Sequence, residues 1–318
     1  MSAPYVHLEG MGVLGSLLAL CLERAKVNFT WHDTEEDVTA WRASTGCVYP
    51  VLRADSKSAR GYSAWRNWWG VNLVPPRWHC VELAVPWFNG KTAPHQGGYE
   101  PCLEMKPGNM KCDPKVQSLH VNAQRLVPLA RNMFKARRLP GKSSRAHHYV
   151  VAHGFGKRLD HYFWGWALPV KLEFRREFML SHPAYRPSFY TRYKRFEMAY
   201  AYPIPGTELW YAGSSLIHQN TAKPLDAEKH YARWLGIFTR LTGGGIQVRA
   251  AGDYLQGWRP AGAKTASEKA AKDNQLLVVR RGRVLEVPPL YHSGVRHAPL
   301  VVEQVFDMLK LPRGVVLP

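Results

Sequence analysis

YVHLEGMGVLGSLLALCLERAKVNFTWHD, Tyr5 to Asp33, has the pattern of a strand, a glycine turn, a helix and a second strand. A strand-like run at 4–9 enters Gly10-x-Gly12-x-x-Gly15, an amphipathic helix follows at 13–25, and a second strand at 27–33 ends on an acid. Together they make a βαβ unit of about 30 residues, the size of a mononucleotide-binding half. Each glycine has a separate physical task. Gly10 permits the tight turn, Gly12 lets a pyrophosphate approach the backbone, and Gly15 lets the helix pack closely on the strand. Val13 and Leu14 open the helix, whose free N–H groups and positive dipole end suit phosphate. Asp33, followed by Thr34, stands where an acid accepts hydrogen bonds from an adenosine ribose. The alternative is a glycine turn in an unrelated αβ unit. His7 and Glu9 speak for that alternative, because they are polar residues in a strand expected to be buried on both faces.

The rest of the composition describes an ordinary globular chain with one outlying property. Its 318 residues are 46% hydrophobic and 21% charged, enough for one large domain or two modest ones. No apolar run reaches the ~18 residues of a membrane span. The N-terminus lacks a basic segment and a small-residue cleavage site, so a cytoplasmic location is expected, in the host cytoplasm if the chain is phage-encoded. Cys21, Cys47, Cys80, Cys102 and Cys112 are odd in number and form no C-x-x-C pair, which fits free thiols better than a disulfide frame or a metal site. The outlier is charge: 43 Lys and Arg against 24 Asp and Glu, a net +19. That excess is either a solvated basic surface or the footprint of a polyanion, and nucleic acid is preferred to an acidic membrane. It clusters at Arg137-Arg138 with Lys142 and Arg145, at Arg175-Arg176, at Arg192, Lys194 and Arg195, and at Arg280, Arg281 and Arg283.

Along the chain, a short helix is expected at 35–43. Loops and short strands are expected through the Pro-, Gly- and Trp-rich region from Gly61 to Gly108. A helix at 121–136 must place Pro128 at a kink or early turn. Residues 147–155 read as a strand, and 164–215 as alternating strands bounded by turn residues. A helix at 226–242 has Asp226 as its N-cap, and a last helix at 299–311 carries Pro299 early. The fold class is therefore α/β, α+β overall. A Rossmann-type domain is built from both chain ends (1–60, 113–160 and 250–318), and a β-sheet substrate domain is inserted (61–112 and 161–249). Within YSAWRNWWGVNLVPPRWH (62–79), four tryptophans offer faces for base stacking, or alternatively fill a core.

Five ordered segments carry a resemblance to the D-amino-acid oxidase and glycine oxidase family of FAD enzymes. AWRASTGCVYP (40–50), with Ala43, Ser44, Thr45 and Gly46, resembles the family segment that passes beside the flavin. YVVAHGFG (149–156), with Ala152 and Gly154, is similar to the strand-to-glycine segment that closes over the adenine half of FAD. AYAYPIPGTELWYAGSS (199–215) resembles the substrate-domain hairpin, and GWRPAG (257–262) matches a Gly-x-Arg-Pro motif at Gly257 and Arg259. YHSGVRHAPLVVEQVFDML (291–309), with Gly294, Val295, Arg296 and His297, is similar to the closing glycine turn and helix that point at the flavin ring. That turn holds one glycine where the family has several, and 61–112 has no counterpart.

The resemblance implies FAD as cofactor and oxidation of an amine, with molecular oxygen as acceptor and no dedicated catalytic triad. It makes Arg259 the carboxylate anchor, a role suited to a planar guanidinium that never deprotonates. Tyr200 and Tyr202 are a second substrate contact or core packing. Arg296 and His297 lie near the flavin N1/O2 edge or simply begin a basic helix. One branch of the family acts on 5-carboxymethylaminomethyluridine in tRNA, and phage relatives are associated with hypermodified thymidines in DNA. Both substrates place a glycine moiety on a pyrimidine in a polyanion, which joins the FAD motifs to the +19 charge, with modified DNA ahead of tRNA. The competing expectations are an oxidase of a free small amine and an inactive flavin-fold protein that binds nucleic acid.

Overall fold

The computed structural model describes residues 4–33, 40–48, 57–89, 110–112, 117–152, 162–175, 185–194, 197–214, 217–219, 226–260, 278–287 and 294–311. In chain order these form β1 (Val6–Glu9), α1 (Val13–Arg24), β2 (Phe29–His32), a 3-10 turn (Ala40–Ala43), β3 (Cys47–Val48) and α2 (Lys57–Gly70). There follow β4 (Val81–Asn89), β5 (Met110–Cys112), β6 (Ser118–Val121), α3 (Ala123–Met133), β7 (His148–Val151), β8 (Tyr162–Phe174), β9 (Arg186–Lys194), β10 (Glu197–Pro203), β11 (Trp210–Ser214) and β12 (Ile217–Gln219). The C-terminal part holds α4 (Ala227–Leu241), β13 (Ile246–Ala250), β14 (Leu255–Pro260), β15 (Val279–Arg281), β16 (Val284–Glu286) and α5 (Gly294–Met308).

Two sheets organise these elements. The first runs β15-β16-β7-β1-β2, and β16, β7, β1 and β2 are parallel neighbours. Strands from both ends of the chain meet in it, because β1 at residue 6 lies beside β7 at residue 148, and β7 beside β16 at residue 284. Its core joins Val6 and Leu8 to Leu17 and Leu18 of α1 and to Val301, Val302 and Phe306 of α5. The second sheet runs β12-β8-β11-β10-β9-β4-β6-β3, with β13 and β14 also pairing β8. One face of it is closed by α4, whose Trp234 and Phe238 pack on Ala199, Ala201, Trp210 and Ala212. Strand alternation then turns Tyr200, Tyr202 and Tyr211 to the opposite face.

His7 and Glu9 have a structural answer. Alternation puts them on the face of the parallel sheet opposite Val6 and Leu8, and that face is roofed by chain 138–147 rather than by an apolar helix. The His7 ring is bonded to Thr30 Oγ1 through Nδ1 and to His32 Nδ1 through Nε2, both at 2.9 Å. A neutral imidazole has one donor and one acceptor, so these two partners satisfy it. Glu9, 2% exposed, meets Lys142 Nζ at 3.0 Å, and the Tyr149 hydroxyl donates to the Ser143 carbonyl at 2.7 Å. Buried polar groups are tolerated here because each has a partner.

Several expected boundaries hold to within a few residues. Asp226 accepts from Lys229 N–H at 3.1 Å as the N-cap of α4, and Pro128 lies inside α3. The C-terminal helix begins earlier than expected, at Gly294, so Pro299 is internal. The region 61–108 departs furthest from expectation: α2 and the nine-residue β4 occupy much of its described part, where loops and short strands were expected. Tryptophan is a weak helix former in isolation, and tertiary packing overrides that preference. Ala64, Trp65 and Trp68 share a buried helical face, and α2 packs directly on α5.

The α2–α5 contact includes a repair. Pro299 has no N–H, so the Val295 carbonyl four residues earlier lacks its helical donor. The Trp65 indole N–H donates to that carbonyl at 2.7 Å. Trp68 lies at the same depth, but its indole nitrogen has no partner among the described residues. Trp65→Phe and Trp68→Phe remove the same ring volume and differ in that one bond. Urea unfolding is expected to show Trp65→Phe less stable than Trp68→Phe by about 1–3 kcal/mol, the cost of an orphaned buried carbonyl, with unchanged m-values.

Candidate functional site

The glycine turn has the geometry its spacing promises. Gly10 takes φ 98°, a left-handed conformation natural to glycine. A Cβ on Gly15 would fall 2.0 Å from the Gly10 carbonyl oxygen, so α1 rests on the turn with no room for a side chain. Gly12 is the N-cap of α1 and supplies no side-chain cap, which leaves the first-turn N–H groups for a ligand. A Cβ there would meet only Trp41 Cδ1, at 3.7 Å. Asp33 closes the turn from the end of β2: its Oδ2 accepts from Met11 N–H at 2.9 Å and from the Arg131 guanidinium. Arg131 also donates from Nε to the Met11 carbonyl at 3.1 Å, and its guanidinium lies 5.7 Å from the Trp41 ring centroid.

A second strip of backbone leads from this turn to the other sheet. The Gln124 amide nitrogen donates to the carbonyls of Arg42 and Ser44, at 2.8 and 2.9 Å, pinning segment 42–44 to the start of α3. Gly46 takes φ 57°, and a Cβ there would lie 1.8 Å from the Val121 carbonyl oxygen. Thr45 and Gly46 are buried, and Cys47 follows them into a cluster with Tyr200 and Tyr202. The 3-10 turn carrying Ala43 also packs against β14, the strand of Gly257 and Arg259. Register pairs Gly257 with Gly165 and Arg259 with Phe163. Arg259 has the same strand parity as Leu255, which packs with Tyr211, but its own side chain lies outside the described residues.

Tyr200 and Tyr202 are stacked, their ring centroids 4.4 Å apart and nearly parallel. A Cβ on Gly213 would lie 2.3 Å from the Tyr200 ring, so that glycine makes room for it across the strand pair. His120 of β6 lies beside the pair, its ring centroid 5.4 Å from Tyr202. Its Nε2 is bonded to Ser118 Oγ at 2.9 Å and is 3.9 Å from Cys47 Sγ, while Nδ1 has no partner among the described residues. Burial, reinforced by the nearby Arg186 cation, lowers the His120 pKa to about 3 and keeps the ring neutral. Burial and the adjacent His32 lower that of His7 to about 4.

The start of α5 completes the surroundings. A Cβ on Gly61 would lie 2.5 Å from the Arg296 carbonyl oxygen, so the turn carrying Gly294, Val295, Arg296 and His297 is held against α2. Ala152 donates from its N–H to the Glu9 carbonyl at 2.8 Å, directly beyond β1. Thr34 and Gly154 lie outside the described residues. The described members of the expected set fall in three places: the glycine turn with Asp33, segment 43–46 leading through Cys47 to the tyrosine pair, and the start of α5 against α2. Sequence reading missed Trp41, Arg131 and His120. Arg131 stands 98 residues from Asp33, and no local pattern announces a partnership of that span.

The basic clusters divide in role. Arg137 pairs with Glu23 at 2.6 Å, Arg138 lies over Trp31, and Lys142 pairs with Glu9, so this cluster serves the fold. Arg280, Arg281 and Arg283, on the β15–β16 hairpin, are exposed, although Arg280 donates to the Met308 carbonyl at 2.9 Å and Arg281 lies 3.6 Å from Glu286. Among the described residues, no three His, Cys, Asp or Glu side chains are grouped to hold a metal ion. No helix among them is long and apolar enough to cross a membrane.

No family model matches the chain, and no curated protein matches it by sequence. Solved structures do match, over nearly the whole length. An iminodiacetate oxidase from Chelativorans sp. BNC1 has TM-score 0.64 at 14% identity, covering 96% of this chain and 96% of that one. A glycine oxidase from Geobacillus kaustophilus has TM-score 0.62 at 14% identity, covering 97% and 95%. An FAD-dependent oxidoreductase from Pseudomonas aeruginosa has TM-score 0.54 at 14% identity, covering 98% and 92%. The chain therefore has the fold of these oxidoreductases, a Rossmann-type α/β domain joined to a large antiparallel-rich sheet.

Two neutral buried imidazoles make stability depend on pH. Unfolded, each titrates near 6.5, and folded they titrate at about 4 and about 3, so the unfolded chain binds more protons between these limits. Their contribution is complete above about pH 6.5 and is lost progressively as pH falls toward 4 and below. Urea midpoints measured from pH 7.5 to 5 are expected to fall more steeply for the wild type than for His7→Gln or His120→Gln.

Proposed function

We propose that this chain is an FAD-dependent amine oxidase acting on a glycyl (carboxymethylamino) group carried by the 5-methylene of a pyrimidine in nucleic acid, modified DNA ahead of tRNA. The observation that carries the cofactor is the glycine turn: an uncapped helix start over Gly10 and Gly12, closed by Asp33. The fold shared with FAD-dependent oxidoreductases supports the same reading. Gly10, Gly12 and the first turn of α1 would hold the pyrophosphate, and Asp33 the adenosine ribose. Bound FAD supplies a two-electron acceptor for the carbon beside the amine nitrogen.

The chain's own residues then have distinct tasks. Arg259 pairs with the glycyl carboxylate, and the tyrosine pair forms a rigid, dry wall beside segment 43–46. A dry site also keeps the amine neutral, because burying an ammonium without a partner is costly. The secondary amine and its α-carbon each lose one hydrogen to give an imine, and water hydrolyses the imine to a 5-aminomethyl pyrimidine and glyoxylate. Molecular oxygen, taking the two electrons and two protons, leaves as hydrogen peroxide. The +19 charge and the exposed arginines of the β15–β16 hairpin support the nucleic-acid part of the reading. A free carboxymethylamine is the second reading, favoured by the likeness to an iminodiacetate oxidase and a glycine oxidase.

The purified protein is expected to show flavin absorption and to release glyoxylate from an oligonucleotide bearing N-carboxymethyl-5-aminomethyl pyrimidine. KM should rise several-fold between 50 and 200 mM salt, as counterion release requires. Turnover of glycine or sarcosine alone, indifferent to salt, would select the free-amine reading, and a colourless protein would overturn both. Arg259→Lys should retain flavin yet raise KM about tenfold or more, because an ammonium lacks the bidentate fork.

A further inference from the structure

The tryptophan-rich segment is only partly accounted for by the core. Trp65, Trp68 and Trp78 are buried, whereas Trp69 is 41% exposed. Around them is a cavity of about 300 Å³ lined by Trp65, Trp68 and Trp69 of α2, Asn72, the Val74–Pro76 turn, and His79 to Val81. Its walls are aromatic and aliphatic, and its polar groups are few and of the kind that read the edge of a heterocycle. They are the Asn72 amide and the His79 imidazole, both on exposed residues. Asn72 and His79 both take left-handed backbone conformations, φ 52° and 49°. Two exposed arginines adjoin lining residues: Arg24 is bonded to the Val71 carbonyl next to Asn72, and Arg77 follows Pro76. No described acid lines the cavity.

We propose that this cavity is a second binding site, separate from the glycine turn, for one unpaired base of a nucleic-acid strand. The base would stack on Trp69, and Arg24 and Arg77 would meet the flanking phosphates. A volume of about 300 Å³ is at the lower end of the range of small-molecule sites and is enough for one base. Stacking of this kind tolerates any base, which suits a site that grips the strand rather than choosing the position to be modified. Trp65 joins the site to the rest of the protein, because the ring that lines the cavity also bonds Val295 at the start of α5. The inference rests on the nucleic-acid reading proposed above but not on amine oxidation.

Fluorescence anisotropy with a fluorescein-labelled oligothymidylate 12-mer, on the full-length protein, tests it. Trp69→Ala is expected to weaken binding about tenfold or more with flavin absorption unchanged, and Trp69→Phe to restore most of it. Arg77→Gln should instead lower the slope of log affinity against log salt by about one. If the wild type binds the 12-mer and Trp69→Ala binds it equally well, the cavity site is wrong while the nucleic-acid reading stands. If the wild type does not bind the 12-mer at all, both fall together.

Discussion

The contact between Gly15 and the Gly10 carbonyl is the constraint on which the rest of the molecule depends. With 2.0 Å between an imagined Cβ and that oxygen, any other residue at 15 would lift α1 from the turn. The helix start would lose its aim, and Met11 N–H would lose its place against Asp33. Because α1 also packs on α3 and α5, the same contact sets where Arg131 and the 294–297 turn lie. The glycine turn and the Rossmann core are therefore one mechanical object.

From that object, two short strips of backbone carry position to the second sheet. Segment 42–46 is held by Gln124 and by the close passage of Gly46 under Val121, and it delivers Cys47 to the tyrosine pair. The tyrosines are fixed from behind by α4, which takes the alanines of the same strand into its own core. A strand with Ala on one face and Tyr on the other thus serves two layers at once. The tyrosine pair is held rigid because the opposite face is closely packed.

The polar first strand shows how far a local rule extends. Burial on both faces predicts apolar residues, and His7 and Glu9 are not apolar. They are accommodated because Thr30 and His32 of β2 satisfy His7, and Lys142 of chain 138–147 meets Glu9. The tryptophan segment is the opposite case: a stretch with little visible periodicity forms a helix because α5 offers it a groove and an unsatisfied carbonyl. Neither those partners nor that groove is written near the residues that use them.

What the sequence determined alone is whatever is set within about 30 residues: the βαβ unit, the glycine tasks, Asp33 at the strand end and Asp226 as a cap. It determined the alternation of Tyr200 and Tyr202 as well, since strand parity is local, and the net charge, which needs no structure. The tertiary structure decided which distant residues complete those pieces. Arg131 reaches Asp33, Trp65 replaces the donor that Pro299 lacks, and His120 settles against Tyr202. The physical reason is range: backbone geometry and helix capping act between near neighbours in sequence, whereas ion pairs and packing act between whatever the fold brings within a few ångströms.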